Sequence, residues 1–150
     1  MKRFVLDTSV ILHYSRSNKI YQKIEEENQL TSPDVMILIS VVTLGELEGF
    51  VQRLNWNDDK KLRLKSLLDN ALIIDISQND QKLLAAFANL SNYSKNIHPT
   101  EKLGRSVGIG QNDLWIAALA SVADATLLTN DSEFDHLSPK WIKLIKYESK

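Results

Sequence analysis

Arg3-Phe4-Val5-Leu6-Asp7-Thr8-Ser9-Val10-Ile11-Leu12 is an apolar run of strand formers that stops at an acid. Two hydroxyl residues then open a second apolar run with helical spacing. The stretch reads as a strand turning into a helix. If that strand is a central one in a parallel sheet, its carboxyl end is where open α/β sheets hold ligands, and Asp7 stands at the mouth of the crevice. Taken alone, the stretch favours a plainer reading in which Asp7, Thr8 or Ser9 is a helix N-cap, so the other acids of the chain must decide.

Outward from there, residues 10–14 continue as a short helix and residues 20–28 form another, with Glu25 to Glu27 as a solvated face. Residues 35–39 are a continuous apolar run of the kind buried on both faces of a parallel sheet, the second strand. Ser40 follows as an N-cap, and Leu44, Leu47, Phe50, Val51 and Leu54 recur at helical spacing. Glu46 borders that stripe in the first or second turn, where it serves either as a favourable charge near the helix start or as a site acid. Gly45 and Gly49 each cost roughly 1 kcal/mol relative to alanine in a helix, and they predict close packing against another backbone. Asn57-Asp58-Asp59 cap a helix running to residue 70, with Leu62, Leu64, Leu67 and Leu68 apolar. Residues 71–76 are a third strand. Ser77 and Asp80 open the next helix, in which Leu83, Leu84, Phe87 and Leu90 face the core; Asp75 takes a structural role outside the site.

From residue 92 to 111 the pattern dissolves into polar residues and glycines, with Lys95, Lys102 and Arg105 among them, as in a functional lid or a mobile segment. Residues 112–120 are an alanine-rich helix carrying Asp113 in its first turn, as a cap or a site acid. Residues 125–129 are the fourth strand, ending in Asn130-Asp131, and residues 141–147 alternate as a last strand with the pattern of an edge. Repeated strand–helix alternation predicts an α/β sandwich around a mostly parallel sheet.

The 150 residues, 43% hydrophobic, suit one domain spanning 1–150 with a full core. There is no cysteine, which excludes disulfides, thiolate metal sites and cysteine nucleophiles. No signal-peptide pattern and no apolar run near the ~20 residues of a membrane span is present, so a cytoplasmic protein without a membrane partner is expected. A formal net charge of -1 neither supports nor opposes a nucleic-acid partner.

Asp7, Glu46, Asp113 and Asp131 converge on one carboxyl edge if the first, second and fourth strands are neighbours. One shared site then accounts for four acids at once. Clustered carboxylates need cations or retained protons at neutral pH, and an all-oxygen set suits Mg²⁺ or Mn²⁺, whose commonest work is on phosphates. His13, His98 and His136 are scattered and read as surface or packing residues. Thr8, Ser9, Asn112 and Thr129 are candidates to orient carboxylates, water or phosphate, or else to cap helices.

Asp7-Thr8-Ser9, Thr43-Leu44-Gly45-Glu46-Leu47, Gly110-Gln111-Asn112-Asp113-Leu114-Trp115-Ile116-Ala117-Ala118, and Thr129-Asn130-Asp131 with Phe134 together resemble the PIN-domain ribonucleases, especially the VapC toxins of prokaryotic toxin–antitoxin pairs. The resemblance covers nearly the whole chain, in order. It implies a single PIN domain, a three-layer α/β/α sandwich, and a Mg²⁺- or Mn²⁺-dependent endoribonuclease that forms a homodimer and is inhibited by a cognate antitoxin. By motif position, the catalytic and metal-holding acids carried over are Asp7, Glu46, Asp113 and Asp131. The fourth acid varies in that family, and Asp135 stands close enough to substitute or assist. A metal-activated water would cleave an RNA phosphodiester, tRNA among the candidates, leaving 5′-phosphate and 3′-hydroxyl ends. Lys2, Arg3, Lys95, Lys102 and Arg105 are candidates to hold the RNA backbone, and Trp115 reads as core or dimer interface.

Two rivals are weaker. An aspartyl-phosphate phosphatase of the haloacid-dehalogenase type wants a second acid where Ser9 stands. A non-catalytic PIN-like or receiver-like binding module needs no full acid set, and a receiver wants a lysine partner that is not found.

Overall fold

A computed structural model describes residues 1–16 and 18–147. Strand β1 (Lys2–Leu6) leads into α1 (Thr8–Arg16), α2 (Lys19–Asn28), β2 (Val35–Ser40), α3 (Val41–Leu54), α4 (Asp58–Asp69) and β3 (Ala71–Ile74). The chain continues through α5 (Gln81–Ser94), α6 (Gln111–Val122), β4 (Thr126–Thr129), a 3₁₀ turn (Ser132–Leu137) and β5 (Lys143–Lys146). The sheet order is β3-β2-β1-β4-β5, and every pairing is parallel. β1 is therefore central, between β2 and β4, with Phe4 opposite Ile37 on one side and Thr126 on the other.

The period-2 pleat divides each strand between two cores. Phe4, Leu6, Ile37, Ile39 and Leu128 join the helices α1, α2 and α4 on one face, while Val5, Leu38 and Leu127 join α5 and α6 on the other. This is the expected three-layer sandwich. Because strands β1, β2 and β4 are buried on both faces, they read in sequence as unbroken apolar runs, whereas edge strand β3 keeps Leu72 52% exposed.

Several local expectations change. A Cβ added at Gly45 or Gly49 would meet nothing within 4 Å, so among the described residues no other backbone packs closely there. Two of the three glutamates are not simply solvated: Glu25 accepts the Tyr14 and Thr31 hydroxyls at 2.8 and 2.6 Å, and Glu27 accepts the Tyr147 hydroxyl at 2.6 Å, while Glu26 is exposed as expected. Leu62 points outward while Leu64 and Leu67 are buried. β3 stops at Ile74, leaving Asp75 beyond it. Asp80 alone caps α5 through the Leu83 amide, and Ser77 instead turns the chain through the Asn79 amide.

Helix α5 runs on to Ser94 because Leu90 and Tyr93 remain in the core. The following segment, residues 95–110, is tied down. The Val107 amide donates to the Ser94 carbonyl at 2.7 Å, His98 Nδ1 accepts the Thr100 and Glu101 amides, and Lys140 pairs with Glu101 at 2.7 Å. Gly104, at φ +93°, donates its amide to Asn96 at 3.0 Å in a conformation that favours glycine. Leu103 and Ile109 pack against the core.

Candidate active site

The carboxyl ends of β1, β2 and β4 lie side by side, and the side chains that follow them form an acidic floor. The Asp7 amide extends the ladder by donating to the Leu128 carbonyl at 3.0 Å, and its carbonyl accepts the Val10 and Ile11 amides, so the main chain of Asp7 starts α1. Its side chain does something else. Oδ1 accepts the Thr8 amide at 2.8 Å, and Oδ2 accepts the Ser9 hydroxyl at 2.9 Å and the Thr129 hydroxyl at 2.7 Å. A capping carboxylate would take the second or third helical amide instead. Asp7 is 5% exposed, and burial pushes its carboxyl above the usual range, against the pull of those three donors; the charge of Asp131 adds to the rise.

Glu46 reaches the same floor from the second turn of α3, which Ser40 caps through the Val42 amide. Thr8 Oγ1 donates to Glu46 Oε1 at 3.0 Å, so one threonine contacts both acids, by its amide and by its hydroxyl. Burial and the charge of Asp7 raise the Glu46 carboxyl, and the Thr8 bond lowers it.

Asp113 occupies the first turn of α6. Gly110 stands at the cap position with no side-chain capping bond. Burial first, then hydrogen bonding with Glu133 and the charges of Asp7, Glu133 and Asp131, push the Asp113 carboxyl up to about 8. Asp131 starts the 3₁₀ turn, accepting the Glu133 amide at 2.9 Å, while its own amide donates to Thr129 Oγ1 at 3.0 Å. One carboxylate oxygen each from Asp113, Asp131 and Glu133 lie within 4.8 Å of one another.

Glu133 is the acid that reading the sequence missed. The signal was its place two residues after Asp131, which faces the cluster only because the chain winds into a 3₁₀ turn rather than extending. Asp135, the alternative fourth acid, is turned instead to Lys146 of β5 at 2.9 Å. Residues 131 and 133 thus share a side of the turn that faces Asp113, and residue 135 faces away from it.

The other candidates divide. Thr8, Ser9 and Thr129 bond directly to the acids. Asn112 is exposed and has no hydrogen bond to any of these acids among the described residues. Arg105 is exposed on the 95–110 segment, close enough that its charge adds to the burial that lowers the pKa of His136. Lys2 and Arg3 lie at the amino end of β1, away from Asp7, with Arg3 donating to the Ala123 carbonyl at 3.1 Å. His13 contacts Asn18 and Asn130, and His136 contacts Ser94 at 2.7 Å. Trp115 is partly buried and stacks on Phe87 at 4.0 Å.

This donor set fits a hard divalent cation. All its ligand atoms are oxygens, and three of its carboxyls are raised in pKa by burial and mutual repulsion. A Mg²⁺-like ion relieves that repulsion and is ordinarily held by a few carboxylates plus water.

The PIN-domain family model matches residues 4–139. Among solved structures, VapBC2 from Rickettsia felis, bound to a DNA fragment from its promoter, is 23% identical with a TM-score of 0.73, over 97% of this chain and 99% of that one. VapBC-5 from Mycobacterium tuberculosis, a member of the VapBC family of toxin–antitoxin systems, is 25% identical with a TM-score of 0.67, over 98% and 100%. FitAcB from Neisseria gonorrhoeae is 22% identical with a TM-score of 0.64, over 95% and 96%. No curated protein matches the chain.

Proposed function

The chain belongs to the PIN-domain family, and from that premise we propose that it is a divalent-metal-dependent endoribonuclease, the toxin of a type II toxin–antitoxin pair. The observation that carries this reading is the convergence of Asp7, Glu46, Asp113, Asp131 and Glu133 at the carboxyl edge of the sheet, with the Asp113 carboxyl pushed up to about 8. The whole span 1–150 acts as one nuclease domain.

Asp7, Glu46, Asp113 and Asp131 hold Mg²⁺ or Mn²⁺, and Glu133 joins Asp113 and Asp131 at the same opening. When bound, the cation supplies the Lewis acidity that makes water a nucleophile at neutral pH and neutralises charge on a phosphate oxygen. The protein's share is positional. Thr8 fixes Glu46 relative to Asp7, and Ser9 and Thr129 fix Asp7 itself. Arg105, with Lys95 and Lys102 on the same tethered segment, supplies positive charge for an RNA backbone. Hydrolysis leaves 5′-phosphate and 3′-hydroxyl ends.

A cognate antitoxin and a second copy of the chain are the expected partners, in the cytoplasm. No helix among the described residues is long and apolar enough to cross a membrane. Helix α3 supports the homodimer: of its 14 residues only Thr43 and Leu47 are buried, and the space above Gly45 and Gly49 is open. Sedimentation of wild type and Gly45→Leu tests this, a monomeric wild type being the contrary result.

Incubating a total RNA or tRNA pool with Mg²⁺ or Mn²⁺, with and without chelator, tests the activity. Metal-dependent fragments are expected. An intact pool under every metal would leave a non-catalytic binding module as the better account.

A further inference from the structure

The hydrogen bonds around Asp7 have a fixed direction. A backbone amide can only donate, so Ser9 Oγ, which receives the Asn130 amide at 3.1 Å, and Thr129 Oγ1, which receives the Asp131 amide at 3.0 Å, both act there as acceptors. Each hydroxyl has one proton, and each lies within 2.9 Å of Asp7 Oδ2, against 3.4 Å between the two hydroxyls. Both protons therefore go to Oδ2.

A carboxylate oxygen offers about two lone-pair sites. Those of Oδ2 are taken by the two hydroxyls. Oδ1 gives one to the Thr8 amide, whose residue also bonds Glu46, and among the described residues keeps the other. Building on the metal-site reading above, we infer that Ser9 and Thr129 are positioning residues that would make Asp7 a one-oxygen ligand, occupying Oδ2 and leaving the open lone pair of Oδ1 for a cation.

The same two hydroxyls tie the turn after β4 to Asp7. The Asn130 amide sets Ser9 and the Asp131 amide sets Thr129, so the segment that delivers Asp131 to the cluster also orients the acid at the end of β1. Losing either hydroxyl frees a lone pair on Oδ2 and removes one of the restraints on the carboxylate plane.

Mn²⁺ affinity, measured by electron paramagnetic resonance without RNA, tests this on wild type, Thr129→Val, Thr129→Ser and Ser9→Ala. Loss of a hydrogen bond that orients a ligand typically weakens metal binding ~10–100-fold. Thr129→Val is expected to show at least ~10-fold weaker binding, Thr129→Ser to stay within about threefold of wild type, and Ser9→Ala to weaken it like Thr129→Val. A merely structural hydroxyl would shift the unfolding midpoint in chelator and leave Mn²⁺ affinity unchanged. Wild-type affinity in both Thr129→Val and Ser9→Ala overturns the inference alone, while a wild type that binds no Mn²⁺ overturns the metal-site reading with it. Should Thr129→Val fail to fold by circular dichroism, Ser9→Ala carries the test by the same criterion.

Discussion

Replacing Asp113 by asparagine is expected to make the metal-free protein more stable in mildly alkaline buffer. The Asp113 carboxyl titrates at about 8 in the folded protein, against 3.8 for a solvated aspartate. Below both values it is protonated in the folded and unfolded states alike and favours neither. Between them the unfolded chain has released the proton and the folded chain keeps it, so the folded state binds more protons and stability falls as pH rises. Above the folded value the loss is complete. At about 1.4 kcal/mol per pKa unit the ceiling is near ~6 kcal/mol, which water on the open side of a partly buried group reduces to roughly 1–3 kcal/mol. Urea unfolding in chelator at pH 8.5 should therefore show Asp113→Asn more stable than wild type by about 1–3 kcal/mol, and by under about 1 kcal/mol at pH 4.5. Saturating Mg²⁺ should stabilise wild type selectively, by about 2.7 kcal/mol at a hundred times its Kd, and close the gap. An asparagine variant that is no more stable in chelator at pH 8.5, or a gap that ignores pH, would refute the reasoning.

Two further expectations concern the turn after β4. Phe134 is 0% exposed and anchors the 3₁₀ turn that carries Asp131 and Glu133, so Phe134→Ala should lower unfolding free energy by about 3–5 kcal/mol in denaturant titration. Asp135 faces Lys146 with half its side chain in solvent. Asp135→Ala should thus retain RNA cleavage within about threefold and change stability by no more than ~1 kcal/mol, whereas a loss as deep as that of Asp113→Asn would return Asp135 to the site.

The sheet could be read from the chain because its central strands are buried on both faces: Phe4-Val5-Leu6, Ile37-Leu38-Ile39 and Leu127-Leu128 have no polar residue to interrupt them. The first and last of these runs stop at or near a charged residue, which is why Asp7 and Asp131 stood out. Glu46 and Asp113 were visible only as helix-start acids, since propensity does not separate a cap from a side chain aimed along the sheet edge. Glu133 was hidden because a single 3₁₀ turn has no periodicity that composition displays. The glycines of α3 suggested a packed neighbour, and none meets them among the described residues. Residues 95–110 looked unstructured because their order comes from scattered contacts, such as His98 accepting two amides and Lys140 reaching Glu101, rather than from repeating ones.

The central claim is that the acids at the ends of β1, β2 and β4 form a cation-dependent RNA-cleaving site. Single-turnover cleavage of an end-labelled RNA pool in Mn²⁺, comparing wild type with Asp7→Asn and Asp113→Asn, tests it most directly. The account predicts wild-type cleavage that chelator abolishes, fragments with 5′-phosphate ends, and a rate at least ~10²-fold lower in both variants. Equal cleavage by wild type and either asparagine variant would contradict it.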